Sequence, residues 1–158
     1  MKKYVLALTL LAIFGITTIA FTVDHGRMHE MMMRQGGSKI DERTELKLPA
    51  PMKVMQKSQM RQHLATIGEI TSALAQNDLK KAEAITRSRL GWTEEEEKQC
   101  SMVTDITGEP DFLKYGKAMH MKAEELSNAA KSGNRDRAIY ALGELINNCN
   151  ACHYRFRH

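Results

Sequence analysis

The residues best suited to chemistry lie near the C-terminal end of the chain. Cys149, Cys152 and His153 form a C-x-x-C-H motif, which is the attachment signature of c-type haem. On a helix, positions i, i+3 and i+4 share one face, so both thiols and the imidazole would point the same way. Two thiols can then add to the two vinyl groups of one porphyrin while the imidazole binds its iron. The motif therefore predicts one covalently bound haem with His153 as an axial ligand.

Two other interpretations of these cysteines fit the sequence less well. A redox-active C-x-x-C dithiol usually lies at a helix N-terminus, where the helix dipole lowers a thiol pKa, whereas this pair is expected near a C-terminal end. A zinc site needs two further ligands, and only Cys100 and scattered histidines remain. The adjoining His153 and an N-terminal export segment favour haem attachment.

That export segment is residues 1–23. Lys2 and Lys3 precede Tyr4 to Val23, a run of twenty residues without a charge. Such a run fits either a cleaved signal peptide or an uncleaved membrane anchor through residues 4–23. In both cases the rest of the chain is expected on the periplasmic side of a bacterial inner membrane.

Residues 24–49 are predicted to be a flexible tether, because they combine balanced charges, Gly36-Gly37-Ser38 and no apolar period. Six soft side chains that suit copper fall within it: His25, Met28, His29, Met31, Met32 and Met33. A Met-rich polar linker is the ordinary interpretation, and metal handling is the alternative.

Residues 50–158 are the predicted domain, and their apolar periods favour an all-α fold. The predicted helices cover 51–75, 79–90, a short segment after Thr93, 110–131, and Asn134 to the C-terminus. Polar or glycine-containing breaks separate them, with Gly91 placed as the residue that ends the second helix. Four main helices joined by short links suggest an antiparallel four-helix bundle.

Composition excludes several classes of function. The chain of 158 residues has room for one domain with accessories but not for a multidomain enzyme. Residues 50–158 carry 16 basic and 14 acidic residues, an excess too small for a nucleic-acid-binding face. Three cysteines are too few for a disulfide scaffold, and Cys100 is expected to be a small buried side chain.

Over residues 50–158 the chain resembles the cytochrome c prime family, and most closely its low-spin relatives. The specific part is the tail, where C-x-x-C-H near the end of the last helix is followed by an aromatic residue and an arginine, here Phe156-Arg157. The resemblance implies a four-helix bundle that holds haem by thioether bonds to Cys149 and Cys152, with His153 as the proximal ligand. Dimers are common in that family.

In the resembled family, the first helix covers the other side of the iron, with an apolar residue in high-spin members and a methionine in low-spin members. At about 100° per residue, Met60 projects into one apolar stripe with Leu64, Ile67, Ile70 and Leu74. The stretch from Met60 to Leu64 resembles the ligand-bearing helix of the low-spin relatives, so Met60 is the predicted second axial ligand. His63, on the same face, is the next candidate, and a vacant position is the third.

These features predict an electron-transfer module and not an enzyme: an exported monohaem c-type cytochrome that works with a redox partner protein. The alternative is a five-coordinate haem protein that binds or senses a diatomic gas, in which Met60 only shields the iron. His120 is predicted at the boundary of the apolar stripe on the third long helix, without a role of its own.

Overall fold

The computed structural model describes residue 30 and residues 41–157. The chain divides into two compact units, Met1–Glu42 and Arg43–His158. The predicted export segment, residues 1–23, lies outside the described residues, and so do the Met and His side chains of the tether. Among the described helices, none is both long and apolar enough to cross a membrane.

Helices account for most of the second unit. They are α1 (Ala50–Ala75), α2 (Leu79–Leu90), α3 (Glu94–Thr107), α4 (Pro110–Lys131) and α5 (Arg135–Arg155), and two short strands, β1 (Thr44–Glu45) and β2 (Phe156–Arg157), pair in parallel. The predicted all-α helical bundle is confirmed, with α3 as a fifth helix packed on α4. The last helix ends earlier than predicted, because Phe156 and Arg157 leave it to form β2.

Local signals explain where the helices begin. Asp78 accepts a hydrogen bond from the backbone N–H of Lys81 at 3.0 Å, and Asn134 accepts one from that of Arg137 at 2.9 Å. Each cap satisfies a backbone donor that has no partner within its helix. Thr93 does the same at the start of α3, with a distance of 3.2 Å to the N–H of Glu96.

Gly91 ends α2, but for a reason other than the predicted one. Its φ of −63° and ψ of 156° make it extended backbone and not the left-handed conformation expected of a glycine that ends a helix. A Cβ at this position would lie 2.6 Å from both the Arg87 carbonyl oxygen and Glu124 Oε1. Close approach of α4, and not backbone rotation, therefore accounts for the glycine.

The packing leaves α1 and α5 loosely connected. α4 packs extensively against α5 and α2, and α1 packs against α2, whereas α1 and α5 approach each other at only a few positions. The larger core cluster joins these four helices and consists of Ile70, Ala73, Leu74, Ala82, Leu90, Met119, Ala123, Leu126, Ala129, Ala130, Ala138, Ala141, Leu142 and Leu145. We refer to the sparsely contacted region between the two helices as the α1–α5 gap.

The end of the predicted tether belongs to the folded unit. Leu46 and Leu48 are buried in a smaller core cluster with Cys100, Val103, Phe112 and Phe156. The backbone N–H of Leu46 donates to the carbonyl of Arg157 at 2.8 Å, which extends the β1–β2 pairing. The folded unit therefore begins at Arg43, seven residues before the predicted domain, because two apolar side chains and a strand pairing hold this segment against the C-terminus.

Gly116 provides a test of the packing between α3 and α4. A Cβ there would lie 2.6 Å from the Sγ of Cys100, which is buried as the sequence predicts. We expect Gly116→Ala to lower the free energy of unfolding by about 1–3 kcal/mol through overpacking. In a Cys100→Ala background the same change should be neutral or stabilising by up to ~1 kcal/mol, because alanine favours a helix over glycine. Denaturant unfolding of the four proteins measures the cycle, and equal costs in both backgrounds would contradict it.

Candidate haem-binding site

The last two turns of α5 carry the C-x-x-C-H motif. All three cysteines of the chain are free thiols; Cys149 and Cys152 are half-buried, whereas His153 is exposed. Cys149 packs against the larger core cluster and Cys152 against the smaller one. The two candidate haem thiols therefore lie at the junction of the two clusters, as expected for side chains on the inner face of a helix.

Burial controls the protonation of these thiols. It raises the pKa of Cys149, and it raises the pKa of Cys152 to about 12 with smaller contributions from Cys100 and Cys149. Burial likewise raises the pKa of Cys100 to about 11. In the chain without haem, these thiols are therefore protonated at neutral pH.

The end of α5 is held by contacts that sequence reasoning missed. Arg43 Nη1 donates to the carbonyl oxygen of His153 at 3.3 Å, which satisfies a helix-end acceptor. Phe156 is buried and meets the rings of Phe112 and Tyr115 edge-on, at centroid distances of 5.8 and 6.0 Å. The alternation of Leu46 and Leu48 with a polar residue was the sequence signal that this segment packs against the end of α5.

On α1 the buried face differs from the predicted apolar stripe. Leu64, assigned to the stripe, is 69% exposed, and Met60 is half-buried. The fully buried side chains of the helix are Gln56, Thr66, Ile70, Ala73 and Leu74. The polar Gln56 and Thr66 take interior positions, so the buried face is rotated away from Leu64 and towards His63, leaving Met60 near its edge.

His63 is half-buried on α1. Its pKa is lowered to about 4, chiefly by burial and further by the positive charges of His120 and His153. Its imidazole is therefore neutral at physiological pH and keeps a nitrogen lone pair free.

His120 is fully buried, at 1% exposed, and not at the boundary of the apolar stripe as the sequence predicts. Its Nδ1 lies 2.9 Å from the carbonyl oxygen of Leu90, and its Nε2 lies 3.4 Å from Glu96 Oε2. Its ring meets that of His63 at 90° with the centroids 5.8 Å apart, and the Trp92 ring at 5.5 Å. Tertiary packing places these polar partners around it, so no single-helix projection could have shown them.

A cavity of about 580 Å³ lies next to this histidine pair. Residues of α1, the end of α2 and α3 line it: Met55, Ser58, Gln59, Gln62, His63, Ala65, Thr66, Arg89, Glu96 and Gln99. Cys149, Cys152 and His153 are not among its lining residues. The cavity is therefore a polar space behind His63 and is distinct from the face of α5 that carries the motif.

The donor set fits a covalently bound haem. Two unpaired thiols three residues apart are followed by an imidazole, all at the end of one helix. The facing helix α1 approaches α5 at only a few positions, so seating a large apolar ring between them would displace few direct helix–helix contacts. The half-buried Met60 and His63 offer soft and nitrogen donors on the opposite side.

Comparison with known proteins agrees with this geometry. The family model described as Cytochrome C' matches residues 49–157. No match was found among curated proteins or among solved structures. Members of the matched family bind covalently attached haem c with its iron and are typically periplasmic. Because the match covers more than half of the chain, this protein belongs to the cytochrome C' family and is a c-type haem protein.

Proposed function

We propose that the protein is an exported, single-haem electron-transfer cytochrome in which Cys149 and Cys152 carry the haem and His153 binds its iron. The observation that carries the proposal is the position of these three side chains at the end of α5, beside the α1–α5 gap. When bound, the haem supplies reversible one-electron chemistry. Export through residues 1–23, cleaved or retained as an anchor, is part of the same proposal.

The chain's own residues would hold and insulate the group. Two thioether bonds would fix the position of the haem. The pairing of β1 with β2 and the hydrogen bond from Arg43 to the His153 carbonyl hold the end of α5, so that the His153 side chain keeps its orientation. Leu145, fully buried one turn before Cys149, provides apolar surface beside the gap. Exclusion of water by such surface is one of the means by which a protein sets a haem potential.

Electrons would enter and leave near the exposed end of α5. His153 is exposed and the neighbouring Tyr154 is 82% exposed, so the attachment motif lies close to the protein surface. A redox partner protein can approach there. With 16 basic against 14 acidic residues over 50–158, two haem propionates would nearly cancel the net charge, and we expect only weak electrostatic steering of that partner.

We propose Met60 as the second axial ligand, as in the low-spin, His/Met-ligated members of the family. Its thioether is half-buried on α1, and thioether ligation opposite histidine raises the haem potential. His63 is a second candidate, one turn further along the helix. Its neutral imidazole, which burial favours, keeps a nitrogen lone pair available.

Absorption and electron paramagnetic resonance spectra of the holoprotein test this assignment. If Met60 is the ligand, we expect a low-spin ferric spectrum that becomes high-spin in Met60→Ala, with a lower reduction potential, while His63→Ala stays low-spin. The reverse pattern would replace Met60 by His63. Leu64→Ala is the matched control, because Leu64 lies on the same helix, one turn after Met60, and its side chain is exposed.

The alternative function, binding or sensing of a diatomic gas, predicts another spectrum. An open sixth position would make the unmodified protein high-spin, and neither Met60→Ala nor His63→Ala would change the spin state. Such a result, combined with binding of carbon monoxide to the ferrous protein as purified, would overturn electron transfer with a side-chain ligand as the proposed function.

A further inference from the structure

The electron-transfer proposal leaves unused a polar network in which His120 is fully buried and Gln59 and Glu96 are half-buried. It consists of Gln59, Glu96, His120 and the carbonyl of Leu90, and it lies directly behind His63. Burying polar groups costs free energy unless each is hydrogen-bonded, and burying a charged group costs more. A hydrophobic side chain in place of His120 would avoid that cost, so the presence of a buried histidine at this position needs a physical explanation.

We infer that His120 is a positioning residue, which fixes the orientation of the His63 imidazole on α1, the helix proposed to lie on the distal side of the haem. This inference rests on the proposed function, because His153 binds iron only if haem is attached to α5. It assigns a role to His120 and Glu96 that neither the C-x-x-C-H motif nor the axial ligands require.

Three helices fix the orientation of the His120 ring. The carbonyl of Leu90, at the end of α2, can only accept a hydrogen bond, so Nδ1 of His120 carries a proton and donates it over 2.9 Å. Nε2 faces the carboxylate of Glu96 on α3 at 3.4 Å. Gln59 of α1 donates its side-chain N–H to the same Glu96 oxygen at 3.2 Å, which fixes the carboxylate in turn.

This fixed ring determines the space available to His63. The two imidazoles meet edge to face, at 90° with the centroids 5.8 Å apart. Trp92 covers another side of His120, with the ring centroids 5.5 Å apart. Since His120 is held by hydrogen bonds and only 1% exposed, its ring is a fixed surface against which the His63 ring packs. Outer partners of this kind commonly orient the groups around a metal.

The network also accounts for Gln59 on α1. Gln59 is half-buried, and its side chain donates to Glu96 on α3. The nearby cavity of about 580 Å³ is lined by both of these residues and by His63. A leucine at position 59 would leave the Glu96 carboxylate without this donor. Gln59 thus supports the orientation of His63 through Glu96 and His120.

The C–O stretching band of the ferrous carbon monoxide adduct tests the inference, because that band reports polar groups next to the bound gas. All proteins carry Met60→Ala, so that the thioether cannot occupy the sixth position. Adding His63→Leu should shift the band to higher wavenumber. His120→Phe should shift it in the same direction or split it, whereas His120→Gln, whose amide nitrogen can still donate to Glu96, should restore a single band.

Ser127→Ala is the matched control, since it changes another buried polar side chain of α4 and should leave the band unchanged. An unchanged band in His63→Leu would overturn the distal placement, and a band that moves in His63→Leu but not in His120→Phe would overturn the positioning role. If the Met60→Ala protein binds no carbon monoxide, binding restored by His63→Leu supports the inference, and its continued absence contradicts it.

Failure of the inference can be separated from failure of the proposed function. Intact mass of each purified protein shows whether haem is attached to the polypeptide. Attached haem with an unchanged band contradicts only the role of His63 and His120. A mass that corresponds to polypeptide alone contradicts the proposed function itself, and the inference with it.

Discussion

Replacement of Cys149 and Cys152 together by serine should abolish covalent haem attachment. Serine hydroxyls do not form thioether bonds, so the double variant should lose the haem mass from the denatured polypeptide, whereas each single variant should retain a fraction attached through one bond. Intact mass spectrometry and haem staining after denaturing electrophoresis measure the loss. The thermal midpoint should also fall, because a ligand bound only by the folded state stabilises that state.

Cys100→Ser provides the control for that experiment. Cys100 is also a buried thiol with a raised pKa, and it packs in the same smaller cluster that Cys152 contacts. It differs in lying on α3, outside the C-x-x-C-H spacing. Full haem attachment in Cys100→Ser is expected. If that variant lost haem while the Cys149→Ser/Cys152→Ser protein kept it, the assignment of attachment residues would be wrong.

Leu145→Ala should destabilise the folded protein by about 2–5 kcal/mol, the range for truncating a large buried aliphatic side chain. Leu145 has 0% of its surface exposed and lies one helical turn before Cys149 on the inner face of α5. The cavity would open beside the α1–α5 gap, so we also expect weaker shielding of the haem from water. Denaturant unfolding of the holoprotein measures the cost, and the absorption spectrum reports the haem environment.

Gly143→Ala is the matched variant on the same helix. A Cβ at Gly143 would meet nothing within 4 Å, and the residue is exposed. Alanine should therefore stabilise α5 by roughly 0.5–1 kcal/mol through helix propensity alone. A loss of similar size for both variants would show that α5 tolerates no change, and would remove the argument that Leu145 matters because of its burial.

Local features of this protein could be predicted because local forces produce them. The C-x-x-C-H spacing brings three side chains to one helix face through the 3.6-residue period, without help from the rest of the fold. Asp78 and Asn134 begin their helices by hydrogen bonds to backbone groups three residues away. The buried stripe through Ala138, Leu142 and Leu145 was likewise predictable, since apolar residues mark it without interruption.

The distal side of the site could not be predicted in the same way. On α1 the apolar residues are sparse. Their helical projection predicts that Leu64 faces the interior, whereas in the folded chain its side chain is 69% exposed. How such a helix is rotated about its axis depends on what its neighbours offer. In this protein Gln59 donates to the Glu96 carboxylate on α3, and the His63 ring packs against the His120 ring on α4.

By itself, then, the amino-acid sequence determined the haem motif, the helices and their order, because each depends on residues within a few positions of one another. Tertiary structure alone decided that His120 is buried among polar partners and that the segment around Leu46 closes on the C-terminal strand. Those contacts join residues 30 and 111 positions apart, Leu90 to His120 and Leu46 to Arg157. Such distant residues come together only when the helices pack, and the pattern of residues within one segment does not show which residues will meet.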